Sequence, residues 1–422
     1  MRSQAASESA RGTFHTVQPK PTHLSHQTPT TTEPVTALGP SLEGLRVLLA
    51  HDWLVTWGGS ERCVEEMLKI FPNADLVVGV RSQSMAQFNE VGRRARETWL
   101  GRLPGARKHH RWFLPLQAAA FATLDTRGYD LVISSSHAFS KMVRPSGHAM
   151  HLCYCYSPPR YLWDLKDSYQ EAARGIQRVA FASAVGILRH VDRWSASRVD
   201  HFIAISDYIA DRIWRSYGRR SDVVYPPVSA KPLRDSVGER ENFILSLGRL
   251  VPYKRVDLAI QAAERLGVRI VIAGDGPERT KLEAMAGRQT EFVGAVSEKE
   301  AGDLLSTCAA FMFCAEEDFG IAPVEANAHG APVVGYGKGG LLETMRPGIT
   351  AEIFDEQTVD SVAAGIQRAM SRSWDVEALR ANAARFSPEN FRHGVIRSVS
   401  AALSAHASRQ RRHSRGLMGR GN

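Results

Sequence analysis

Cys314-Ala-Glu-Glu-Asp-Phe-Gly-Ile-Ala-Pro-Val-Glu-Ala-Asn-Ala-His-Gly330 lies between two apolar runs, Ala309-Ala-Phe-Met-Phe313 and Ala331-Pro-Val-Val-Gly335. Continuous apolar runs of this length read as buried strands. Between them there is room for a loop and a short helix. Pro323 suits a helix's first turn, because proline has no N–H to leave unpaired there. Gly330 suits its end, where a positive φ is common. The free N–H groups near Gly320 and Ile321 then face out from the strand end and attract anions. Glu317 precedes the helix and Glu325 sits within it. Two carboxylates so placed accept from hydroxyl groups rather than bind phosphate. An anion site flanked by two hydroxyl-binding acids fits a sugar nucleotide.

The same unit of strand, loop and helix repeats outward from this stretch. In the second half, Asn242–Leu247, Arg269–Ala273 and Glu291–Gly294 read as further strands, each followed by a helix. The Gly248–Arg255 loop places two cations, Arg249 and Lys254, at one strand end, where both can reach a diphosphate. In the first half, Leu45–Ala50, Ala74–Val80, Tyr129–Ser135, His151–Tyr156 and His201–Ile205 read as strands. Leu45–Ala50 leads through Trp57-Gly-Gly-Ser-Glu61 into an apolar-periodic helix over Cys63–Ile70. Gly58 and Gly59 allow backbone to approach a ligand closely, and equally serve any tight turn. Alternating strands and helices predict an α/β protein of two Rossmann-like, doubly wound domains.

This arrangement sets the expected boundaries. Residues 1–43, rich in Ser, Thr, Pro and His, read as a disordered extension, with a targeting segment as the alternative. Residues 44–228 form the first domain, 229–241 a linker and 242–386 the second domain. A helix over 387–405 returns to the first domain, and 406–422 form a basic disordered tail that is either solubilising or drawn to acidic lipid.

Composition narrows the partners. A chain of 422 residues with 43% hydrophobic content supports two full cores. It contains no apolar run of membrane-span length and no signal-like apolar start. Its five cysteines follow no metal-ligand spacing and no disulfide framework, which fits a reducing cytoplasm. A net charge of +9 points to an anionic partner: nucleic acid, acidic lipid or a nucleotide diphosphate. Classic RNA- and DNA-binding motifs are absent, so no nucleic-acid partner is expected. Between Arg93 and Phe113, basic residues interleave with Trp99, Trp112 and Phe113, which suits either an anionic membrane surface or a solvated face with inward-packed tryptophans.

The Glu317 stretch resembles the Glu-x7-Glu signature of the retaining family 4 glycosyltransferases, matching at Glu317, Phe319, Gly320, Pro323, Glu325, Ala326 and Gly330. Gly248-Arg-Leu-x-x-x-Lys254-Arg-x-Asp257 resembles that family's diphosphate clamp. The opening His51-Asp52 with Gly58-Gly59-x-Glu61, and His137 at a strand end, are similar as well. The resemblance spans Leu45 to Leu403 and implies the GT-B architecture, in which two Rossmann-like domains face each other across a cleft. It implies that His137, Arg249, Lys254 and Glu317 lie nearest the chemistry. Donor contacts would come from Gly58, Gly59, Arg249, Lys254, Gly274, Val296, Asp318, Phe319, Gly320, Ile321 and Glu325. Glu317 would meet the donor sugar, Glu325 the ribose, and the 319–321 amides the sugar and diphosphate.

The run Tyr154-Cys-Tyr-Ser-Pro-Pro-Arg-Tyr-Leu-Trp-Asp164 is similar to that of relatives acting on GDP-mannose, with Tyr156 where they carry histidine. Arg160, Tyr161 and Trp163 are acceptor candidates, or else members of a packed loop. The resemblance implies a retaining, metal-independent hexosyltransferase with no cofactor, moving mannose from GDP-mannose to a lipid-linked glycan in O-antigen or exopolysaccharide assembly. It would work at the cytoplasmic face, in peripheral contact with anionic membrane. A UDP-sugar donor, a nucleotide-sugar 2-epimerase and a non-catalytic basic membrane or nucleotide-binding protein are the alternatives.

Overall fold

The computed structural model describes residues 42–163, 176–229 and 240–418. Seven strands make the first sheet: β1 (Val47–His51), β2 (Asp75–Val78), β3 (Arg96–Glu97), β4 (Leu131–Ser136), β5 (Met150–Cys155), β6 (His201–Ala204) and β7 (Ser221–Val223). Six make the second: β8 (Phe243–Leu247), β9 (Arg269–Ala273), β10 (Thr290–Gly294), β11 (Ala310–Phe313), β12 (Val333–Tyr336) and β13 (Ala351–Phe354). The strand orders are β3-β2-β1-β4-β5-β6-β7 and β10-β9-β8-β11-β12-β13. All pairings within both sheets are parallel. Parallel strands are covered by helices on both faces, which is why β1, β4, β5 and β11 are buried along their whole length. The fold is therefore GT-B, two doubly wound α/β domains, as the sequence reading expects.

Each sheet reverses its order once, between β1 and β4 in the first and between β8 and β11 in the second. Ligands of open α/β sheets bind beyond the carboxyl ends of the strands at such a reversal. Helix α1 (Gly59–Ile70) follows β1 and buries Cys63, Val64, Met67, Leu68 and Ile70 on one face. A Cβ on Gly59 would fall 2.3 Å from Cδ1 of Ile321, the first residue of the helix that follows β11. The carboxyl ends of the two sheets thus meet at a common boundary.

Aromatic residues join the lobes beneath that boundary. The rings of Tyr225, Phe319 and Phe386 lie 5.3–5.7 Å apart. Helix α2 (Ile176–Ser197) and helix α3 (Asp207–Tyr217) complete the first lobe. Ser206 caps α3 by accepting from Ile209 N–H, and Gly218 ends it at φ 65°.

Several expectations shift. Leu42, read from sequence as part of the N-terminal extension, is buried in the core. Residues 1–41, the linker positions 230–239, and positions 164–175 and 419–422 lie outside the described residues. The stretch read as a disordered basic tail from 406 continues the last helix, Pro388–Met418, because Ala401–Arg412 contains strong helix formers and neither Pro nor Gly. That helix lies on the first lobe: Phe391 meets Tyr154 edge to face at 5.6 Å, and Arg392 pairs with Glu66 of α1.

The edge strands β3 and β13 were not read from sequence. They are short and only partly buried, so they lack the apolar run that marks interior strands. Much of the Arg93–Phe113 charge is used internally. Arg96 pairs with Asp75, Arg107 forks onto Glu97, and the Trp99 indole N–H donates to Thr123. Trp112 has no described side chain. Among the described residues no helix is long and apolar enough to cross a membrane.

Candidate donor site between the lobes

The second lobe's reversal point is built by glycines. At the end of β9, Gly274 has φ 139°, and a Cβ there would lie 1.9 Å from the Gly248 carbonyl oxygen. A Cβ on Gly276 would lie 2.2 Å from the Leu250 carbonyl oxygen. Only glycine lets the exits of β8 and β9 stack this closely. Gly274, named among the donor contacts, thus also serves the packing of the clamp loop. Leu250 is buried, and its N–H donates to the Asp275 carbonyl. With Leu250 anchored, the flanking Arg249 stays exposed.

A 3-10 turn, Pro252–Lys254, follows and ends on Arg255 at φ 50°, the one non-glycine residue of positive φ among the described residues. Such backbone costs roughly 1–2 kcal/mol for an L-residue. It is held by helix α4 (Val256–Leu266), which starts directly after it, and by the Arg255–Asp257 ion pair. Strain of this kind collects where a side chain must be aimed. Lys254 is the side chain aimed here.

The Lys254 ammonium pairs with the Glu317 carboxylate, and both side chains are about one-fifth exposed. It also stands 5.6 Å from the Phe313 ring. Ser246, Gly248, Arg249, Lys254, Phe313 and Ala315 line one pocket between the ends of β8 and β11. Glu317 is fixed by its backbone, whose carbonyl accepts from Gly340 N–H at 2.8 Å. Gly339 (φ 68°) has no room for a Cβ against that carbonyl. Helix α6 (Ile321–Ala328), preceded by α5 (Glu298–Thr307), starts from Gly320 at φ 88° and has no side-chain cap. Its first N–H groups are left for a ligand or water.

The residues around this centre take other partners. The Phe319 side chain is buried among the lobe-junction aromatics, so only its backbone is offered to the site. Val296 packs partly buried against the core. Asp318, expected at the donor, pairs at 2.7 Å with the buried guanidinium of Arg212 in α3. Its carbonyl accepts from the Ser206 hydroxyl at 2.6 Å. Next to it, Glu316 accepts from the Tyr208 hydroxyl at 2.6 Å. Three successive carboxylates thus point to three partners, and only Glu317 faces the clamp.

Glu343 accepts from the Asp207 and Tyr208 N–H groups at 2.7 and 2.8 Å, capping α3 from the other lobe. Burial raises its carboxyl to about 7 despite those bonds.

In the first lobe, Asp52 follows β1 and is wholly buried. It accepts from four consecutive N–H groups, those of His137, Ala138, Phe139 and Ser140, at 2.6–2.9 Å. Burial alone would raise its carboxyl. His137 beside it and these bonds more than offset that, and hold it below the ordinary value. This fixes the loop after β4 and presents His137 at the strand end.

The imidazole of His137 lies 3.3 Å from Asp52 and 4.4 Å, edge to face, from Trp53. Burial lowers its pKa, and Asp52 only partly opposes the shift. A neutral imidazole is suited to hydrogen bonding. Tyr156, which stands where histidine was expected, bonds Ser135 Oγ and donates to the Ser60 carbonyl, both at 2.9 Å. Burial holds its hydroxyl protonated. It ties β4 and β5 to the start of α1.

Of the acceptor candidates, Trp163 is committed to packing. Its indole donates to Asp192 at 2.8 Å, and Arg189 and Arg193 stack on it at 5.0 and 4.9 Å. Tyr161 has no described side chain. Arg160 reaches across the boundary to 5.8 Å from the ring of Tyr253, next to Lys254. Among the described residues no group of three or more His, Cys, Asp and Glu side chains is arranged to hold a metal ion.

Two residues that hold the lobes together were not singled out from sequence, Arg62 and Arg212. Arg62 of α1 donates to Glu325 at 2.9 Å and to Glu298 at 3.0 Å. Nothing local marks these contacts, since the carboxylates that Arg62 and Arg212 meet across the boundary lie more than a hundred positions away.

Residues 57–231 match the family model described as Glycosyltransferase Family 4, and residues 232–386 the model described as Glycosyl transferases group 1. The chain is 29% identical over 229 residues to the D-inositol 3-phosphate glycosyltransferase of Mycobacterium marinum, a match covering 47% of this chain and 49% of that one. It is 30% identical over 252 residues to the corresponding protein of Mycobacterium tuberculosis, covering 50% and 51%. The chain thus spans about half the length of the curated relatives it matches. Among solved structures, Anabaena HepE in complex with UDP-glucose superposes with a TM-score of 0.62 at 17% identity, over 84% of this chain and 99% of that one. The sucrose-phosphate synthase of Thermosynechococcus elongatus superposes at 0.61 and 18%, over 89% and 100%. At these identities the likeness speaks to fold.

Proposed function

The chain carries a family 4 and a group 1 glycosyltransferase domain in a GT-B fold, and from that premise we propose that it transfers a hexose from a nucleoside diphosphate donor, retaining the anomeric configuration. The observation that carries this reading is the Lys254–Glu317 pair at the mouth of β8 and β11, beside an exposed Arg249 and the uncapped start of α6. The two side chains hold each other in place. A sugar diphosphate offers each a better-matched partner, phosphate oxygens for Lys254 and a sugar hydroxyl for Glu317.

Breaking the anomeric bond puts negative charge on the leaving diphosphate. Groups already aimed at that charge lower the barrier most. In this reading they are Arg249, Lys254 and the first amides of α6, and transfer needs no metal. His137 orients the donor sugar from the first lobe. The leaving phosphate helps deprotonate the acceptor.

The finer donor reading is GDP-mannose. It rests on the likeness of the 154–164 run to enzymes using that donor, with Arg160 in the acceptor pocket. The acceptor is proposed to be a lipid-linked glycan, met at the cytoplasmic face of a membrane. Anabaena HepE, of the same fold, is described with UDP and UDP-glucose, so a uridine donor is the second reading. A donor panel separates them: GDP-mannose, UDP-glucose and UDP-GlcNAc with a lipid-linked acceptor in the presence of EDTA. Transfer from GDP-mannose is expected. Transfer from a uridine donor alone replaces the donor, EDTA-sensitive transfer removes the metal-independent mechanism, and no transfer together with no nucleotide binding rejects the reading.

A further inference from the structure

Arg62 belongs to neither the glycine loop nor the cationic clamp, yet it touches the residue read as the ribose acceptor. It lies in the first turn of α1, and its own N–H donates to the Gly58 carbonyl at 3.1 Å. Its guanidinium forks across the lobe boundary. One nitrogen donates to Glu325 Oε1 at 2.9 Å and the other to Glu298 Oε1 at 3.0 Å.

The two acids are not equivalent. The Glu298 side chain is 88% exposed, while those of Arg62 and Glu325 are 24% and 26% exposed. A pair in which one partner is fully hydrated adds little, so the sheltered Arg62–Glu325 contact is the one that matters. It can form only when α1 stands over α6, the arrangement in which Gly59 abuts Ile321.

We propose that Arg62 is a positioning residue for the donor, holding Glu325 in place from the opposite lobe so that the carboxylate receives the ribose of a nucleoside diphosphate. This rests on the transferase reading above. Three physical points support it. A carboxylate has about four acceptor positions, and Arg62 uses one oxygen, leaving capacity for a ribose hydroxyl. Glu325 lies little more than one turn from the start of α6, where a diphosphate would bind, so an uncompensated negative charge there would repel the ligand. Arg62 removes that repulsion. Because the fork comes from the first lobe, ribose recognition in the second lobe becomes conditional on the lobes being together.

The test is a set of calorimetric titrations of the full chain with GDP and UDP and their 2′-deoxy counterparts. For wild type, the preferred ribonucleotide is expected to bind about tenfold tighter than its deoxy form. R62Q should weaken ribonucleotide binding more than tenfold and flatten the ribose preference, while deoxynucleotide binding, which loses only the relief of repulsion, weakens by a smaller factor of about threefold. R62K, which keeps the charge but loses the planar fork, should fall between. E298Q should stay within twofold. In a cycle with E325Q, the double variant should bind no more than twofold worse than E325Q alone, because both changes act through one carboxylate.

An intact ribose preference in R62Q overturns the proposal, as does multiplication of the two losses in the double variant. Tighter binding by R62Q also overturns it, since Arg62 would then compete with the donor for Glu325. If wild type binds neither GDP nor UDP, the transferase reading itself falls. If R62Q does not fold, R62K carries the same comparison.

Discussion

The two reversal points share a strand order, and their backbone amides meet opposite fates. At the end of β4 in the first lobe, four successive N–H groups converge on Asp52, a carboxylate supplied by the chain itself and shut away from water. At the end of β11 in the second lobe, the amides at the start of α6 meet no capping side chain, and Arg249 and Lys254 stand nearby. One set of amides is capped from within and the other has no side-chain cap. The same topology therefore yields a rigid shelf carrying His137 in one lobe and, in the other, the helix start proposed above to meet the donor.

Substitutions should separate the two lobes in kind as well as in size. Asp52→Ala leaves four buried donors without an acceptor and should cost about 3–5 kcal/mol of stability, as when one partner of a buried charged network is removed. Chemical denaturation checks this, and a melting profile like wild type would mean the amides do not depend on Asp52. Lys254→Ala should do the reverse, leaving the melting profile nearly unchanged while turnover falls on the order of 10²-fold, the usual loss for one charge-stabilising donor. Near-normal turnover would show that the second lobe's cations are not aimed at a developing charge.

The lobe junction gives a pH test. Glu343 has its carboxyl raised from 4.5 to about 7 by burial. Ionising it costs the folded state, so its stabilising contribution is complete below pH 4.5 and is lost as pH rises to about 7. Glu343→Gln should therefore gain in melting midpoint relative to wild type as pH is raised from 5 to 8, with most of the change before about pH 7 is passed. A difference that stays flat across that range would place the charge burden elsewhere.

The smallest effect should come from Arg255→Gly. Glycine adopts φ 50° freely, so the aim of Lys254 survives and turnover should stay within about twofold. Arg255→Val, a β-branched residue at positive φ, should lose far more. Equal behaviour of the two variants would remove the backbone of Arg255 from the account of the clamp.

Much of this was legible in the chain. The interior strands announce themselves because helices cover both their faces, and every side chain of β1 and β11 must be apolar or paired. The Gly248–Arg255 loop and the 317–325 stretch were legible for a different reason: their residues act together within a few positions of one another. The chain was misleading where a residue borrowed significance from its neighbours. Asp318 sits between Glu317 and Phe319 in the motif, but its carboxylate belongs to Arg212. Trp163 sits beside Arg160 in an acceptor-like loop, but its indole belongs to Asp192.

The sequence by itself determined two doubly wound sheets, the position of each strand exit and the residue types available there. These follow from local apolar runs, glycine spacing and turn chemistry, all of which act over short distances along the chain. Only the tertiary structure decided how the charges pair: Asp52 with the β4 exit, Arg62 with Glu325, Arg212 with Asp318 and Glu343 with the start of α3. Each of those choices depends on which side chains are desolvated together once the lobes meet. That is a property of the packed molecule, because a charge in water has no need of a particular partner and a buried one does.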